Sequence, residues 1–330
     1  MKVKKKLLLT IIFAALLYLG GCFYAGWDAL QNAFVRFDWW VVFPCLALAF
    51  MNYCIRFCKW HYYLHLLGIP LRIPVSFKIF LSGLVMSATP GKFGEVFKTF
   101  LVKEVNGTEL AKSAPIIVAE RFTDLIAFIL LSLFGITLIP GGRTIDGIIL
   151  LVMGLVLAVI GKKSWAEGMI RICEGFPFIG QYAHKLYIAY ESVARLIAPT
   201  PLAIATAISV LSWFMECMAF HLVLWGFDVH LPLIHTTFMY AFATIMGAVL
   251  MTPGGIGPTE GTLGGLLVFL HHVPKGIATT ATLIIRICTL WFAVIVGLLV
   301  LTIYGHAFTT AKSHHFLDEF ELEPEETANQ

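Results

Sequence analysis

The stretch SATPGKFGEVFK, residues 87–98, decides the fold because it interrupts an apolar run that is too short to cross a membrane. The run before it, residues 75–88, would be about 21 Å long as a helix, at ~1.5 Å per residue. The hydrocarbon core of a bilayer is ~30 Å thick, so such a helix ends inside it. Irregular backbone at that depth must be buried in protein or line a wet cavity. We therefore predict a re-entrant hairpin whose tip comprises Thr89, Pro90, Gly91 and Gly94.

The composition is that of an integral membrane protein. Hydrophobic residues make up 59% of the 330-residue chain and charged residues only 13%, against ~25% in soluble domains. Two apolar runs, 75–88 and 233–251, stop at Thr-Pro-Gly, while runs long enough for a full span lie at about 7–24, 39–57, 116–139, 145–161, 202–226 and 277–304. The sequence thus predicts an all-α polytopic membrane protein with about six full transmembrane helices and two re-entrant helical hairpins, up to eight membrane segments in all.

The basic residues indicate how the chain is oriented. They flank the first hairpin on both sides, with Arg56, Lys59, Arg72 and Lys78 before it and Lys98, Lys103 and Lys112 after it. Cytoplasmic loops carry an excess of Lys and Arg, so a re-entrant hairpin keeps both flanks in the cytoplasm, whereas a full crossing would export the second. We expect a multi-pass protein of the plasma (inner) membrane with a cytoplasmic N-terminus. The modest net charge of +3 indicates no nucleic-acid partner.

An internal repeat relates the two hairpins. GIPLRIP (68–74) matches GFDVHLP (226–232), and TPGKFGE (89–95) matches TPGGIGPTE (252–260). Beyond each tip, a Glu precedes an Arg by 26 residues, as Glu95 does Arg121 and Glu260 does Arg286, and we predict that the two residues in each case form a charged pair or share one ligand near the midplane. Three full crossings separate the hairpins, so the second should enter from the opposite side. Inverted repeats with broken helices that meet near the midplane are a recurring plan of secondary transporters.

The repeat divides the chain into five parts. Repeat A covers 39–140 and repeat B covers 202–304, each with a span, a hairpin and a span. Residues 1–38 hold an N-terminal transmembrane helix and an external loop, and residues 141–201 hold a linking span and a cytoplasmic amphipathic helix at 180–197. Residues 305–330 form an acidic tail that we expect to be disordered.

The sequence after the second tip predicts where the following helix begins. Its tip residues are Thr252, Pro253, Gly254, Gly255 and Gly257. Gly257 suits a cap, a Pro at 258 suits the first helical position, and Glu260 then falls in the first turn, where the helix dipole favours a carboxylate. Capping is one reading of Glu260 and of its counterpart in the first hairpin. The other is a site inside the membrane, because carboxylates there are costly and face an interior or a wet pathway.

Each basic residue near the tips also has two readings. Lys92 at the hairpin tip either binds an anionic lipid phosphate or reaches the headgroup layer, and Lys98, further from the tip, favours the second reading. Arg121 either belongs to the site or forms an i,i+3 pair with Asp124 at the interface. Arg286 lies inside an apolar span, where an Arg costs ~2.5–3.5 kcal/mol, so it requires a partner or a ligand.

These motifs carry a family resemblance. TPGKFGEVFK with ERFTDL, followed by TPGGIGPTEG and IIRICTLW, resembles the transmembrane domain of the lysylphosphatidylglycerol synthase or multiple peptide resistance factor family, also called the flippase-like UPF0104 family. The resemblance implies a membrane protein that translocates lipids or lipid-linked sugars. It implies substrate-binding roles for a set of charged residues, namely Lys92, Glu95, Arg121, Asp124, Glu260 and Arg286. Bifunctional members add a cytosolic aminoacyl-transferase domain, and we expect that activity to be absent here.

Three functions remain open at this point. The favoured one is a translocator of an anionic phospholipid, or of a polyprenyl-phosphate-linked or glycolipid amphiphile, with no cofactor and no ATP site, since GxxxxGK[ST] does not occur. A membrane-embedded transferase or hydrolase acting on polyprenyl phosphates is the alternative from another class. A non-catalytic partner of a lipid or glycan synthase is the third.

Cysteine and histidine positions indicate no metal site. The seven Cys lie mostly in apolar runs without metal-ligand spacing, and we interpret them as small buried hydrophobes, while Cys22 in LGGC also resembles a lipidation site. His61 and His65 have i,i+4 spacing without a third ligand nearby.

Overall fold

The computed structural model describes residues 26–88, 93–133 and 183–310, with isolated positions at 20, 135, 144, 147, 148, 151 and 154. All regular elements in these ranges are helices, and no strand occurs among them. The predicted spans at 7–24 and 145–161 lie outside the described residues, isolated positions apart. So do the tip residues Thr89, Pro90 and Gly91 and the neighbouring Lys92. The described part thus contains both repeats except for the first tip and residues 134 and 136–140 of repeat A.

Repeat A and the segment before it contain six α-helices. They are α1 (Trp27–Arg36), α2 (Val42–Leu66), α3 (Ile73–Gly83), α4 (Phe97–Asn106), α5 (Leu110–Ser113) and α6 (Pro115–Ser132). Short 3-10 helices precede α2 at Trp39–Val41, extend α3 at Leu84–Ala88 and precede α4 at Phe93–Val96, which includes Gly94.

The remaining described residues form six further α-helices. They are α7 (Ala183–Leu196), α8 (Pro199–Trp225), α9 (Leu233–Val249), α10 (Pro258–His271), α11 (Lys275–Arg286) and α12 (Phe292–Thr310). A π-helical turn at Ile287–Trp291 joins α11 to α12. The last helix therefore continues past residue 304, where we expected repeat B to end.

Three helical segments of the described chain are long and apolar enough to cross a membrane. They are Trp39–Leu66, Pro199–Trp225 and Lys275–Tyr304, of 28, 27 and 30 residues. Their positions match the spans predicted at 39–57, 202–226 and 277–304, although the first is longer than expected. Ile73–Ala88 and Leu233–Val249 are shorter apolar helices at the two predicted arms. The regular structure of the described ranges is therefore all-helical, with several apolar helices, as a multi-pass membrane protein requires.

The length of α2 corrects one interpretation. Arg56 and Lys59 are not a polar flank after the span, because α2 continues to Leu66 and both side chains are buried inside the protein. Carboxylates from neighbouring elements neutralise them, so neither charge ends the helix. Arg56 and Lys59 are thus buried helix residues and do not count as an exposed basic flank, while the cytoplasmic side of the flank stays a prediction.

Each hairpin starts and finishes at one end of the helix bundle, and the two hairpins do so at opposite ends. In the second hairpin, the rings of His235 at the start of α9 and His271 at the end of α10 lie 5.1 Å apart. In the first, Asn106 at the end of α4 donates a hydrogen bond of 3.2 Å to the Pro70 carbonyl, just before α3. The backbone N–H of Asp38, before α2, donates to the Gly226 carbonyl after α8 at 2.9 Å, which places the first end of α2 beside the second hairpin.

Packing contacts recur between the two repeats. The long helices α2 and α8 pack against each other, α9 packs on α6, and α12 packs on α3 and its 3-10 extension. His61 of α2 lies 3.1 Å from Ser76 Oγ, and His221 of α8 lies 3.1 Å from Thr236 Oγ1, each pair 15 residues apart. Equivalent positions of α2 and α8 are thus 160 residues apart. Asn52 Nδ2 donates to the Ser212 carbonyl at 2.7 Å across that same separation of 160.

The amphipathic segment predicted at 180–197 is helical from Ala183 to Leu196. Glu191 and Arg195 are exposed, whereas Leu196 on the predicted apolar stripe is buried. This helix, α7, packs on α5 and α6 beside the first hairpin.

Candidate functional site

The break before α10 has the local structure that its sequence indicates. Gly254, Gly255 and Gly257 all have positive φ, at 61°, 71° and 96°, a region that only glycine enters without strain. The helix begins at Pro258, and the backbone N–H of Gly257 donates to Glu260 Oε2 at 2.7 Å. The predicted cap, first helical position and first-turn carboxylate are therefore confirmed.

Arg286, whose charge is costly to bury in an apolar span, has a carboxylate partner. Its Nε donates to Glu260 Oε1 at 2.7 Å, and its Nη2 donates to the Gly254 carbonyl. The two side chains are only 9% and 14% exposed. Glu260 thus caps α10 and neutralises Arg286 at once, so the capping reading is confirmed, and a role of this carboxylate in a functional site stays a prediction. The π-helical turn follows directly after Arg286, and such turns are frequent at functional sites.

Repeat A contains the matching pair. Arg121 Nη2 lies 3.0 Å from Glu95 Oε2, and the same nitrogen lies 3.1 Å from Asp124 Oδ2. The i,i+3 pair and the pair to the hairpin carboxylate therefore coexist. The equal spacing of 26 residues predicted both the Glu95–Arg121 and the Glu260–Arg286 pairs, and the geometry confirms them.

Lys98 differs from its expected position. Its Nζ donates to Glu120 Oε2 at 2.7 Å and lies 3.9 Å from Glu95 Oε2 and 4.4 Å from the centre of the Trp60 ring. The residue is 2% exposed, so it does not reach the headgroup layer as expected. A buried carboxylate 22 positions further along the chain binds it instead.

Two further cations of repeat A were missed as site residues. Lys59 Nζ, with a fully buried side chain, donates to Asp124 Oδ1 at 2.6 Å and to Ser209 Oγ at 2.6 Å. Arg56 lies 3.8 Å from Glu95 Oε1 and has its guanidinium carbon 5.1 Å from the Trp213 ring centre. The sequence contained one signal for them: they are spaced i,i+3 at the end of an apolar run. Two cations on one face of a helix inside the membrane require buried partners.

Together these side chains form a buried ionic network. Its members among the described residues are Arg56, Lys59, Lys98 and Arg121 with Glu95, Glu120 and Asp124. Buried charges are costly unless they are paired and hydrogen-bonded, so the removal of one member leaves another uncompensated. Its most accessible cation is Arg121, whose side chain is 26% exposed.

A cavity of about 380 Å³ lies between the two repeats. Its polar lining comes from both, including Arg56, Arg121, Asp124, Ser87, Glu216, Tyr240, Thr252 and Arg286. Its apolar lining includes Phe128, Trp213, Leu290 and Met251, the last of which is 62% exposed and marks where the cavity reaches the surface. Of the predicted site residues, the structure brings Arg121, Asp124, Thr252, Gly254, Gly255 and Arg286 to this cavity, with Glu95 and Glu260 directly behind them.

The two interrupted arms meet at the cavity. A Cβ on Gly254 would lie 3.3 Å from Ala88 Cα and 3.0 Å from Leu290 Cδ2. Ala88 is the last described residue before the first tip, so the end of one arm contacts the break of the other. Gly254 therefore has both a positive φ and no space for a side chain.

Glu216 is the functional candidate of repeat B that the sequence did not indicate. It is 6% exposed, lines the cavity from α8, and its Oε2 accepts a hydrogen bond of 2.6 Å from the Tyr240 hydroxyl. It lies 160 positions after Arg56, the separation that relates α2 to α8. Equivalent positions of the two halves thus hold opposite charges.

No metal site occurs within the described ranges, where no group of three His, Cys, Asp or Glu side chains converges. The described cysteines are free, and three of them, Cys45, Cys217 and Cys288, are buried. His61, the first histidine of the i,i+4 pair, contacts the Ser76 hydroxyl through its imidazole ring. Cys22 lies outside the described residues.

The fold and the site define a class: a helical membrane protein with two internally related halves and a buried ionic cavity between them. The family model described as the lysylphosphatidylglycerol synthase TM region matches residues 7–297. The chain therefore belongs to that family. It is similar to a UPF0104 membrane protein of Methanothermobacter thermautotrophicus, 26% identical over 318 residues that cover 91% of this chain and 94% of the relative.

Two more relatives have the same description. A second UPF0104 membrane protein of the same organism is 20% identical over 307 residues, covering 85% of this chain and 90% of the relative. One from Methanocaldococcus jannaschii is 19% identical over 176 residues, covering 53% of this chain and 75% of the relative. The similarity thus extends over nearly the whole chain, and the expected family is confirmed.

Proposed function

We propose that this protein translocates an amphiphile with an anionic headgroup, a phospholipid or a polyprenyl-phosphate-linked or glycolipid amphiphile, across the plasma membrane without hydrolysing ATP. The observation that carries the proposal is the set of arginines, Arg56, Arg121 and Arg286, that lines one cavity between two interrupted helices. Guanidinium groups bind phosphate oxygens through charge-assisted, often bidentate hydrogen bonds. The membership of a family named after a lipid synthase agrees with a lipid-related role.

Arg121 is the residue best placed to take the phosphate. Its guanidinium nitrogen Nη2 already lies 3.0 and 3.1 Å from carboxylate oxygens of Glu95 and Asp124, and a guanidinium also binds phosphate oxygens. It is the most exposed cation of the network, so a phosphate oxygen can replace one carboxylate while the other stays in contact. Lys92, which precedes the described part of repeat A's second arm, is proposed as a further contact.

Repeat B supplies the second half of the headgroup site. The cavity-lining hydroxyl of Thr252 is buried and has no hydrogen-bond partner among the described residues. Arg286 is held at the same wall by Glu260. The cavity volume of about 380 Å³ falls in the ordinary range for a small-ligand site, ~300–1,000 Å³, so it accommodates a headgroup but not two acyl chains. The chains would remain in the lipid beside the exposed Met251.

The hairpins suggest how the site is reached from both leaflets. We propose that they are re-entrant and form an inverted repeat, because their ends lie at opposite ends of the bundle. Basic residues that include Arg72, Lys103 and Lys112 lie at the end of the first hairpin, which we assign to the cytoplasm together with the N-terminus. Rocking of one repeat against the other would then expose the cavity to one leaflet at a time.

Reconstitution tests this function. Purified protein in liposomes with a trace of fluorescent phosphatidylglycerol should make inner-leaflet lipid accessible to a membrane-impermeant quencher, without ATP. Arg121→Gln should reduce the rate at least tenfold, whereas Lys103→Gln, an exposed change in repeat A, should not change it.

The same preparation distinguishes the other functions. Turnover of a polyprenyl phosphate in detergent without any movement of lipid would favour the transferase or hydrolase. Co-purification of a synthase with no lipid movement by the pure protein would favour the partner role. Either result contradicts the proposal.

A further inference from the structure

Helix α1, Trp27–Arg36, is too short to cross a membrane. At ~1.5 Å per residue its 10 residues extend ~15 Å, about half of the ~30 Å hydrocarbon core. Three apolar side chains at positions i, i+3 and i+7 are buried against the rest of the protein, namely Leu30, Ala33 and Phe37. The helix packs on α11, and the ring centre of Phe37 lies 4.7 Å from that of Phe227, which follows α8. One side of α1 is therefore fixed on the folded chain.

The remaining surface of α1 divides into two sectors. The polar sector consists of exposed residues spaced i,i+4, which are Asp28, Asn32 and Arg36. The apolar sector lies between the polar and the buried side, and its exposed members are Trp27, Phe34 and Val35, with Gln31 among them. Trp27 is 74% exposed and Val35 is 80% exposed. Exposed apolar side chains beside a polar face are typical of a helix that lies in a membrane interface.

The apolar sector continues into an exposed stripe of α2. Asp38 Oδ1 accepts a hydrogen bond of 3.2 Å from the backbone N–H of Trp40 at the turn between the two helices. The ring centres of Phe34 and Trp39 lie 5.4 Å apart, and those of Trp40 and Phe43 lie 5.6 Å apart. Further exposed residues of α2 follow at helical spacing, namely Ala47, Phe50 and Met51. Such a stripe on a membrane-length helix faces lipid, so the apolar sector of α1 is continuous with a lipid-facing surface.

We propose that α1 lies in the membrane–water interface, with its apolar sector in the lipid and its polar sector toward water. The partner is the boundary between lipid headgroups and acyl chains, where tryptophan side chains concentrate and amphipathic helices insert. The polar sector carries one acidic and one basic residue, Asp28 and Arg36. Its charges balance, so this contact does not require anionic lipid.

The interfacial position of α1 would anchor one end of repeat B. The backbones of α1 and α11 are in contact, because a Cβ on Gly276 would lie 2.7 Å from the Ala29 carbonyl oxygen. Helix α11 ends at Arg286, which lines the cavity. The anchor would thus hold the start of this helix at the membrane surface. It would serve a translocator, an enzyme or a partner of a synthase alike, so its failure would leave the proposed function untouched.

Quenching of Trp27 fluorescence in liposomes tests the position of α1. The emission of Trp27 is obtained by subtracting the emission of Trp27→Phe, which keeps an apolar ring, from that of wild type. Phosphatidylcholine that is brominated on its acyl chains near the headgroup should quench most of this emission, whereas iodide in the water should quench little of it. Addition of phosphatidylglycerol should change neither result.

Neighbouring substitutions separate the two sectors. Val35→Asp places a carboxylate in the apolar sector and should raise the quenching of Trp27 by iodide about twofold. Arg36→Asp introduces the same side chain one position further, in the polar sector, and should leave the quenching by iodide and by bromine unchanged. If Val35→Asp does not fold, Val35→Ser and Arg36→Ser give the same comparison with a neutral side chain.

Each other outcome would overturn the proposal. Quenching of Trp27 by iodide but not by bromine would place the apolar sector in water. Protection from both quenchers that depends on the protein-to-lipid ratio would assign the sector to a contact between two copies, and protection at every ratio would assign it to a contact within the chain. Equal effects of Val35→Asp and Arg36→Asp would contradict the division into two sectors.

Discussion

Removing Glu260 is expected to destabilise the protein about as much as removing its partner Arg286. Glu260 forms an ion pair of 2.7 Å with Arg286 Nε and accepts a hydrogen bond of 2.7 Å from the Gly257 N–H. Arg286→Ala removes the ion pair and the hydrogen bond to the Gly254 carbonyl, whereas Glu260→Ala removes the ion pair and the cap. Breaking a buried pair costs ~3–5 kcal/mol, and losing a cap or a further hydrogen bond adds ~1 kcal/mol. We therefore expect a loss of ~4–6 kcal/mol for either variant.

The double variant separates the pair from its two members. With both side chains removed, no uncompensated buried charge remains, so its loss of stability should fall at least ~2 kcal/mol short of the sum of the single losses. The free energy of unfolding would be measured in mixed micelles across the full cycle. Asp228→Asn, in an exposed pair with His230 at 3.5 Å, is the control and should stay within ~0.5 kcal/mol of wild type. Additive losses would refute the reasoning, since they would mean that the two charges do not depend on each other.

Three other predictions follow from the same contacts. Lys98→Ala should lower the free energy of unfolding by ~3–5 kcal/mol, because it leaves the buried carboxylate of Glu120 without its cation. The control Lys103→Ala, at an exposed position, should change that free energy by less than ~0.5 kcal/mol, and similar losses in the two variants would contradict the buried position of Lys98. Gly254→Ala should abolish lipid movement, since φ is 61° and the arms leave no space for a methyl group, and a fully active variant would show that their contact is not needed. Cysteines placed at Lys103 and at Lys275 should react with an impermeant reagent from opposite faces of the membrane, and labelling from one face would contradict the inverted repeat.

Local sequence patterns predicted the parts of the site that depend on nearby residues. Glycine and proline at the second break specify its turn, and Glu260 three positions after Gly257 specifies the cap. The repeated spacing of 26 residues also predicted one ion pair in each repeat, because two related structural units share their contacts as well as their fold. These inferences needed no knowledge of how distant helices pack.

The remaining site residues depend on packing between distant segments. Lys59 binds Asp124 across 65 positions and Ser209 across 150, and no local pattern indicates such partners. Lys98 looked like a residue at the membrane surface because its carboxylate partner lies on another helix. Glu216 stands alone in an apolar run, and only the separation of 160 between α2 and α8 shows that it occupies the position of Arg56.

The difference between the two halves bears on how a translocator of this plan would release its substrate. Two identical halves would bind an anionic headgroup equally well on both walls, and tight binding from both sides slows release. Here repeat A contributes Arg56 and Arg121 to the cavity, while the wall of repeat B combines Arg286, which Glu260 neutralises, with the carboxylate of Glu216. An anionic headgroup would therefore bind mainly to the wall of repeat A and separate first from that of repeat B. The asymmetric charges would thus favour release, while the related backbones preserve the symmetry that alternating access needs.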